Sequence, residues 1–264
     1  MLKKGNVDML SGSIFKGLIS LAIPIMIMNV MQNMFNIIDM TILGRFTNDT
    51  AVGAVGTCST LISLCTGLFI GVSTGANVVV AKCIGCGDKE KTEKTIGTAV
   101  LFSVAGGGIL LIIGVSLAEV FLKLINCPEA LIDKAVLYFR LYFLGAPMLL
   151  LYNFCASILR AGGNTKQPLY FLFIGGAIKA ILNYFCITAL NTTVAGVGIA
   201  TIVSNTVMSG LAFWAFLEMN IKQNSSGADS DFMLQSLINV IYWYSDRLAD
   251  GIIFVSECCN CHSC

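Results

Sequence analysis

The chain has 264 residues, of which 56% are hydrophobic and 12% charged, and its formal net charge is +1. A soluble domain carries about 25% charged residues, so half the expected charge is missing and a soluble fold is not expected. The near-neutral balance argues against a nucleic-acid-binding surface and against attraction to an acidic partner.

The charges that exist are segregated. Gly17–Ile38, Thr50–Ala81, Thr95–Ala118, Leu141–Leu159 and Ala180–Leu217 contain no Asp, Glu, Lys or Arg. A helix that crosses a bilayer needs about 20 apolar residues, and these runs reach or approach that length. The N-terminus carries Lys3, Lys4 and Asp8 but no cleavable-signal pattern, because the apolar segment that follows is too long and lacks a small-residue cleavage site.

The first span is predicted over about Phe15 to Thr41. Asn29, Gln32, Asn33, Asn36 and Asp39 recur within it at steps of three or four, which puts them on one helical face. A carboxylate at the end of that stripe is costly in lipid unless it faces a polar cavity or binds a cation. Asp39 therefore reads either as a cavity-lining cation or proton site or as the outer end of a hydrogen-bonded seam between helices. Pro24 removes one helical hydrogen bond and kinks the helix, and it is the candidate hinge.

The second span covers about Ala51 to Ala81. Ser59, Ser63, Thr66, Ser73 and Asn77 share one face and either line a cavity or bond to a neighbouring helix. Gly67, Gly71 and Gly75 at four-residue spacing predict close packing against another helix. The third span runs from about Lys94 to Leu122 and the fourth from about Leu131 to Leu159, with Arg140 near its outer end as an interface anchor. The fifth covers about Pro168 to Leu190. Lys179 sits near its middle with Asn183 one turn on, and the lysine either snorkels to the inner surface or shares a polar pocket with Asp39 and Asn183. The 38 uncharged residues from Ala180 to Leu217 exceed one crossing. Asn191-Thr192-Thr193 supplies the turn, and the sixth span follows over about Val194 to Leu217.

Lys and Arg set the orientation. A cytoplasmic N-terminus places ten of them on the inner side, among them Lys82, Lys89, Arg160 and Lys166, against Arg45, Lys123 and Lys134 outside. The expected fold is therefore all-α: a polytopic, six-helix transmembrane bundle over residues 1–220, multi-pass in the cell membrane. Residues 221–264 differ in character and read as a linker plus a weakly structured segment. Phe232 to Val255 is interrupted by Asp246, Arg247 and Asp250, and Cys258, Cys259, Cys261 and Cys264 cluster at the end. That cluster reads as an unstructured end, and no metal site is expected. Cys58, Cys65, Cys155 and Cys186 lie inside apolar runs and read as small, reduced packing residues.

Several of these segments resemble multidrug and toxic compound extrusion (MATE) transporters. They are Ile23-Pro24 through Asn36-Ile37-Ile38-Asp39 to Gly44-Arg45-Phe46, then Ala54-Val55-Gly56, then Ile158 through Pro168, then Asn183, and finally Val194 through Thr201. Their order matches that family's N-terminal half over about residues 10 to 220. The resemblance implies one lobe of a secondary antiporter that exports amphipathic or cationic small molecules in exchange for Na+ or H+. It maps ion or proton coupling to Asp39 and to Asn183 of the fifth helix, and Asn36 beside Asp39 is included. Gln32, Asn33, Ser63, Thr66, Asn77 and Lys179 are candidate cavity-lining residues. Some members carry a second acid four residues after the asparagine; here that position is Ile187, so Asp39 carries the charge alone.

The family also implies a second lobe, supplied either by a second copy in a homodimer or by a missing second half, the tail then reflecting a frameshift or truncated gene. No cofactor is expected beyond the coupling ion, and the bilayer and a small-molecule substrate are the expected partners. Two alternatives stand beside this reading: a lipid-linked saccharide flippase of the same superfamily, and an inactive truncated remnant. An enzyme is not expected, because the single histidine, His262, lies in the tail and the spans hold no acid pair or metal motif.

Overall fold

The computed structural model describes residues 14–47, 49–86, 89–190 and 192–224. The expected linker, the Phe232–Val255 segment and the terminal cysteine cluster lie outside the described residues, as does the side chain of Asn77. Eight helices follow in order: α1 (Ile14–Phe46), α2 (Asp49–Gly85), α3 (Lys89–Ser116), α4 (Ala118–Leu124), α5 (Glu129–Leu144), α6 (Ala146–Ala161), α7 (Lys166–Thr188) and α8 (Val194–Asn224). Four contain a stretch long and apolar enough to cross a membrane alone: α2, α3, α7 and α8. The bent pair of α5 and α6 makes a fifth. The 33 residues of α1 span about 50 Å and run along α7. The four single helices and the bent pair correspond to five of the spans read from the sequence, and α1 covers the range of the first.

Two spans differ from that reading. The fourth, expected as one helix over Leu131 to Leu159, is broken at Gly145 and bent by 44°. Pro147 at the start of α6 has no N–H to continue the ladder of α5, and Gly145 packs so closely on α8 that a Cβ would lie 3.3 Å from Ile202 Cα. The bend is seated against α3, where a Cβ on Gly107 would stand 2.7 Å from Pro147 Cα. The third span ends early, at Ser116, and a separate short helix, α4, continues from Ala118. Within α1 the helix runs unbroken through Pro24.

The interior centres on α6, whose Leu150, Tyr152, Phe154, Cys155, Ile158 and Leu159 are all buried. It packs against α2, α3 and α8, while α1 leans on α7 and touches α2 only slightly. A large apolar cluster with Phe139 and Phe143 of α5 at its centre joins Leu43, Ala51, Leu122 and Val197 at one end of the bundle. A polar seam fixes α2 to α6: Ser73 Oγ donates to Asn153 O at 3.0 Å and lies 2.8 Å from Ser157 Oγ. Ser73 thus belongs to a helix contact, whereas Ser59, Ser63 and Thr66 on the same helix line a cavity. The glycine stripe of α2 does not pack as expected. A Cβ at Gly67, Gly71 or Gly75 would meet nothing within 4 Å, because that side of α2 faces away from the other helices. Cys58, Cys155 and Cys186 are buried and unbridged, and Cys65 is half-buried.

Candidate functional site

A cavity of about 560 Å³ lies within the helix bundle, with walls from α1, α2, α5, α6, α7 and α8. The polar face of α1 forms one wall with Asn29, Gln32, Asn33, Asn36 and Asp39. Ser59, Ser63 and Thr66 of α2 contribute hydroxyls to another. Asn29, Asn33, Asn36, Ser59 and Ser63 are exposed while Asp39 and Thr66 are buried, so the cavity is open at one side and closes around the carboxylate. Asn33 Nδ2 donates to its own helix at Asn29 O, 3.0 Å away, and Thr66 Oγ1 donates to Ile62 O at 2.7 Å.

At the closed end three side chains from two helices meet. Asn183 Nδ2 donates to Asp39 Oδ1 at 2.5 Å, and Lys179 Nζ lies 2.5 Å from Asp39 Oδ2. Lys179 and Asn183 are one turn apart on α7, so a single face of that helix serves both carboxylate oxygens. Asn183 is fully buried, and its Oδ1 has no hydrogen-bond partner among the described residues. A buried carboxylate without partners is strongly disfavoured; here one charge-assisted hydrogen bond and one ion pair satisfy it.

Backbone contact brings the helices close enough for this. A Cβ on Gly176 would stand 2.1 Å from Phe35 Cε2, so α1 approaches α7 at a position where only glycine leaves room for the ring. Next to it, a Cβ on Gly175 would fall 2.1 Å from Met208 Cγ of α8, and Ser204 Oγ donates to Gly175 O at 2.7 Å. One turn beyond Phe35 along α1 is Asp39, and one turn beyond Gly176 is Lys179. The Gly175-Gly176 pair therefore sets the register that joins acid, lysine and asparagine.

Of the residues singled out in the sequence, Gln32, Asn33, Asn36, Asp39, Ser63, Thr66 and Lys179 line this cavity, and Asn183 lies behind Asp39. Lys179 does not snorkel; it points at the carboxylate. Pro24 is not among the lining residues. Sequence reading missed Tyr138 and Tyr142 of α5, Asn153 of α6, and Thr201, Ser204 and Asn205 of α8, all of which form cavity wall. Thr201, Ser204, Asn205 and Met208 recur at steps of three or four, the same signal that marked α1. Asn205 is 5% exposed and its Nδ2 has no partner among the described residues.

The comparisons with known proteins agree with this architecture. A protein-family model, MatE, matches residues 24–185. This chain belongs to the MatE family. Among its relatives is the "Probable multidrug resistance protein YpnP" of Bacillus subtilis, 28% identical over 210 residues, which cover 78% of this chain and 45% of the relative. The "Probable multidrug resistance protein YoeA" of the same organism is 27% identical over 170 residues, covering 64% of this chain and 37% of the relative. This MatE chain thus spans less than half the length of those relatives. A solved multidrug resistance MATE family transporter of the MOP superfamily, in its outward-facing conformation, superposes with a TM-score of 0.75 at 22% identity, over 90% of this chain and 54% of that one. The fold is thus that of one half of such a transporter.

Proposed function

We propose that the chain is one lobe of a secondary antiporter that exports amphipathic or cationic small molecules in exchange for Na+ or H+. The observation that carries this reading is Asp39, buried at the closed end of an open cavity within the helix bundle and held by Lys179 and Asn183. An ionisable group buried inside a bundle of apolar helices is costly to keep and is characteristic of ion and substrate pathways. Membership of the MatE family, with relatives named as multidrug resistance proteins, supports the same direction.

The working unit needs a second lobe, either a second copy of this chain or a further six-helix half. Asn29, Asn33 and Asn36 are exposed on α1 beside Met34 and Ile37. Amide side chains facing hydrocarbon are disfavoured, so they call for a polar cleft between two lobes instead of lipid. The cell membrane is the expected location, with the N-terminus cytoplasmic. One charge moved across 100 mV is worth about 2.3 kcal/mol, which supports modest uphill export for one ion per cycle.

The test is transport by the purified chain in proteoliposomes loaded with a fluorescent organic cation such as ethidium. An imposed Na+ or H+ gradient is expected to drive dye movement against its own gradient. Movement that is identical with and without both ion gradients contradicts antiport.

A further inference from the structure

The cavity wall carries two charges, and they cancel. Among its lining residues Asp39 is the sole acid and Lys179 the sole base. The Lys179 side chain is 16% exposed and that of Asp39 9%, so the pair is formed inside the protein and not at its surface. Each carboxylate oxygen already has its donor, Asn183 on Oδ1 and Lys179 on Oδ2. Beside the pair the acceptor Asn183 Oδ1 has no hydrogen-bond partner among the described residues, and the donor Asn205 Nδ2 of the cavity wall has none either. Carboxylate and amide oxygens are the ligands that a hard monovalent cation such as Na+ requires, yet the nearest cation is the protein's own. A second cation brought to the same carboxylate would be repelled by the ammonium at close range, in a region of low dielectric.

We propose that Lys179 is the resident cation of this site: its ammonium holds the place on Asp39 that Na+ would take, and an inorganic cation reaches the carboxylate only after Lys179 leaves. This rests on the reading of Asp39 as the exchange site and states how access to it is controlled. Removing the ammonium leaves the Oδ2 oxygen of Asp39 without its partner, in a cluster that also holds the unpartnered Oδ1 of Asn183, with a full negative charge and no counter-ion. That arrangement binds Na+; the native one does not.

The experiment is a thermal melt of the detergent-purified full chain in NaCl against choline chloride at equal ionic strength, since a ligand that binds the folded state alone raises its melting midpoint. The wild-type midpoint is expected to be the same in both salts. Lys179→Met is expected to gain a saturable rise specific to Na+, and adding Asp39→Asn to it removes that rise. Lys179→Arg keeps a tethered charge and stays indifferent to Na+. Lys179→Gln, which retains a donor for Asp39, serves as the neutral variant if Lys179→Met does not fold. A Na+-specific rise in the wild type as large as in the neutral variant overturns the proposal, and so does a folded neutral variant with no Na+ response. Because the readout is binding and not transport, failure here leaves the antiport reading to the flux measurement, and failure of that flux leaves this result standing.

Discussion

Phe35 lies against the bare backbone of Gly176, where a Cβ would come within 2.1 Å of its ring. This contact sets the spacing of α1 and α7; one turn further along α1 is Asp39, which meets Lys179 and Asn183, one and two turns further along α7. Packing and chemistry are therefore joined: what moves the helices apart also breaks the polar cluster.

Gly176→Ala should show this directly. The added methyl has to displace an aromatic ring, and overpacking of this kind costs about 1–3 kcal/mol. The melting midpoint of the purified variant should fall, and any Asp39-dependent transport should fall with it. Gly108→Ala in α3 is the control, since its Cβ would meet nothing within 4 Å. Its stability should stay within about 0.5 kcal/mol of wild type, and an equal fall in both variants would detach the effect from the Phe35 contact.

Asn183→Ala removes the donor on Asp39 Oδ1. Leaving a buried acceptor short of a hydrogen bond costs about 1–3 kcal/mol, more when it is charged. A double-mutant cycle with Asp39→Asn should return a coupling between the two positions of about 0.5–3 kcal/mol. Strictly additive losses, read from denaturation of the four proteins, would show that the two side chains do not act together.

Ser73→Ala separates the structural hydroxyls of α2 from those of the cavity. Ser73 bonds across to Asn153 O and contacts Ser157, so its loss should lower stability by about 1 kcal/mol while dye efflux per folded molecule stays at the wild-type level. Ser63→Ala faces the cavity and should do the opposite, leaving the midpoint unchanged and altering efflux. Reversed effects in the paired melting and flux assays would mean the two roles are exchanged.

The apolar spans of α2, α3, α7, α8 and the α5–α6 pair were legible because hydrocarbon thickness imposes a length that charge-free runs reveal. The break at Gly145 was not, because Gly145 and Pro147 sit in an uninterrupted apolar run and the bend arises from packing on α3 and α8. The acid end of the cavity was legible from spacing: the α1 stripe ends at Asp39, and Lys179 and Asn183 share a face. The α8 wall was not read, although Thr201, Ser204 and Asn205 follow the same period. The hydroxyls of Thr201 and Ser204 are spent on backbone carbonyls, Val197 O and Gly175 O, and short hydroxyl side chains barely disturb an apolar segment. Tyr138 and Tyr142 were not singled out in the sequence, and only the tertiary arrangement turns them toward the cavity. The α2 glycines carried a packing signal that the helices of this chain do not answer.

If Asp39 is the group through which export is coupled to ion entry, replacing its carboxylate in Asp39→Asn removes that coupling. Ethidium efflux and the amount of protein in the membrane fraction should be measured side by side for this variant and the wild type. Coupled efflux should be abolished while the variant remains in the membrane at a comparable level. Efflux equal to wild type from an equal amount of Asp39→Asn protein would contradict it.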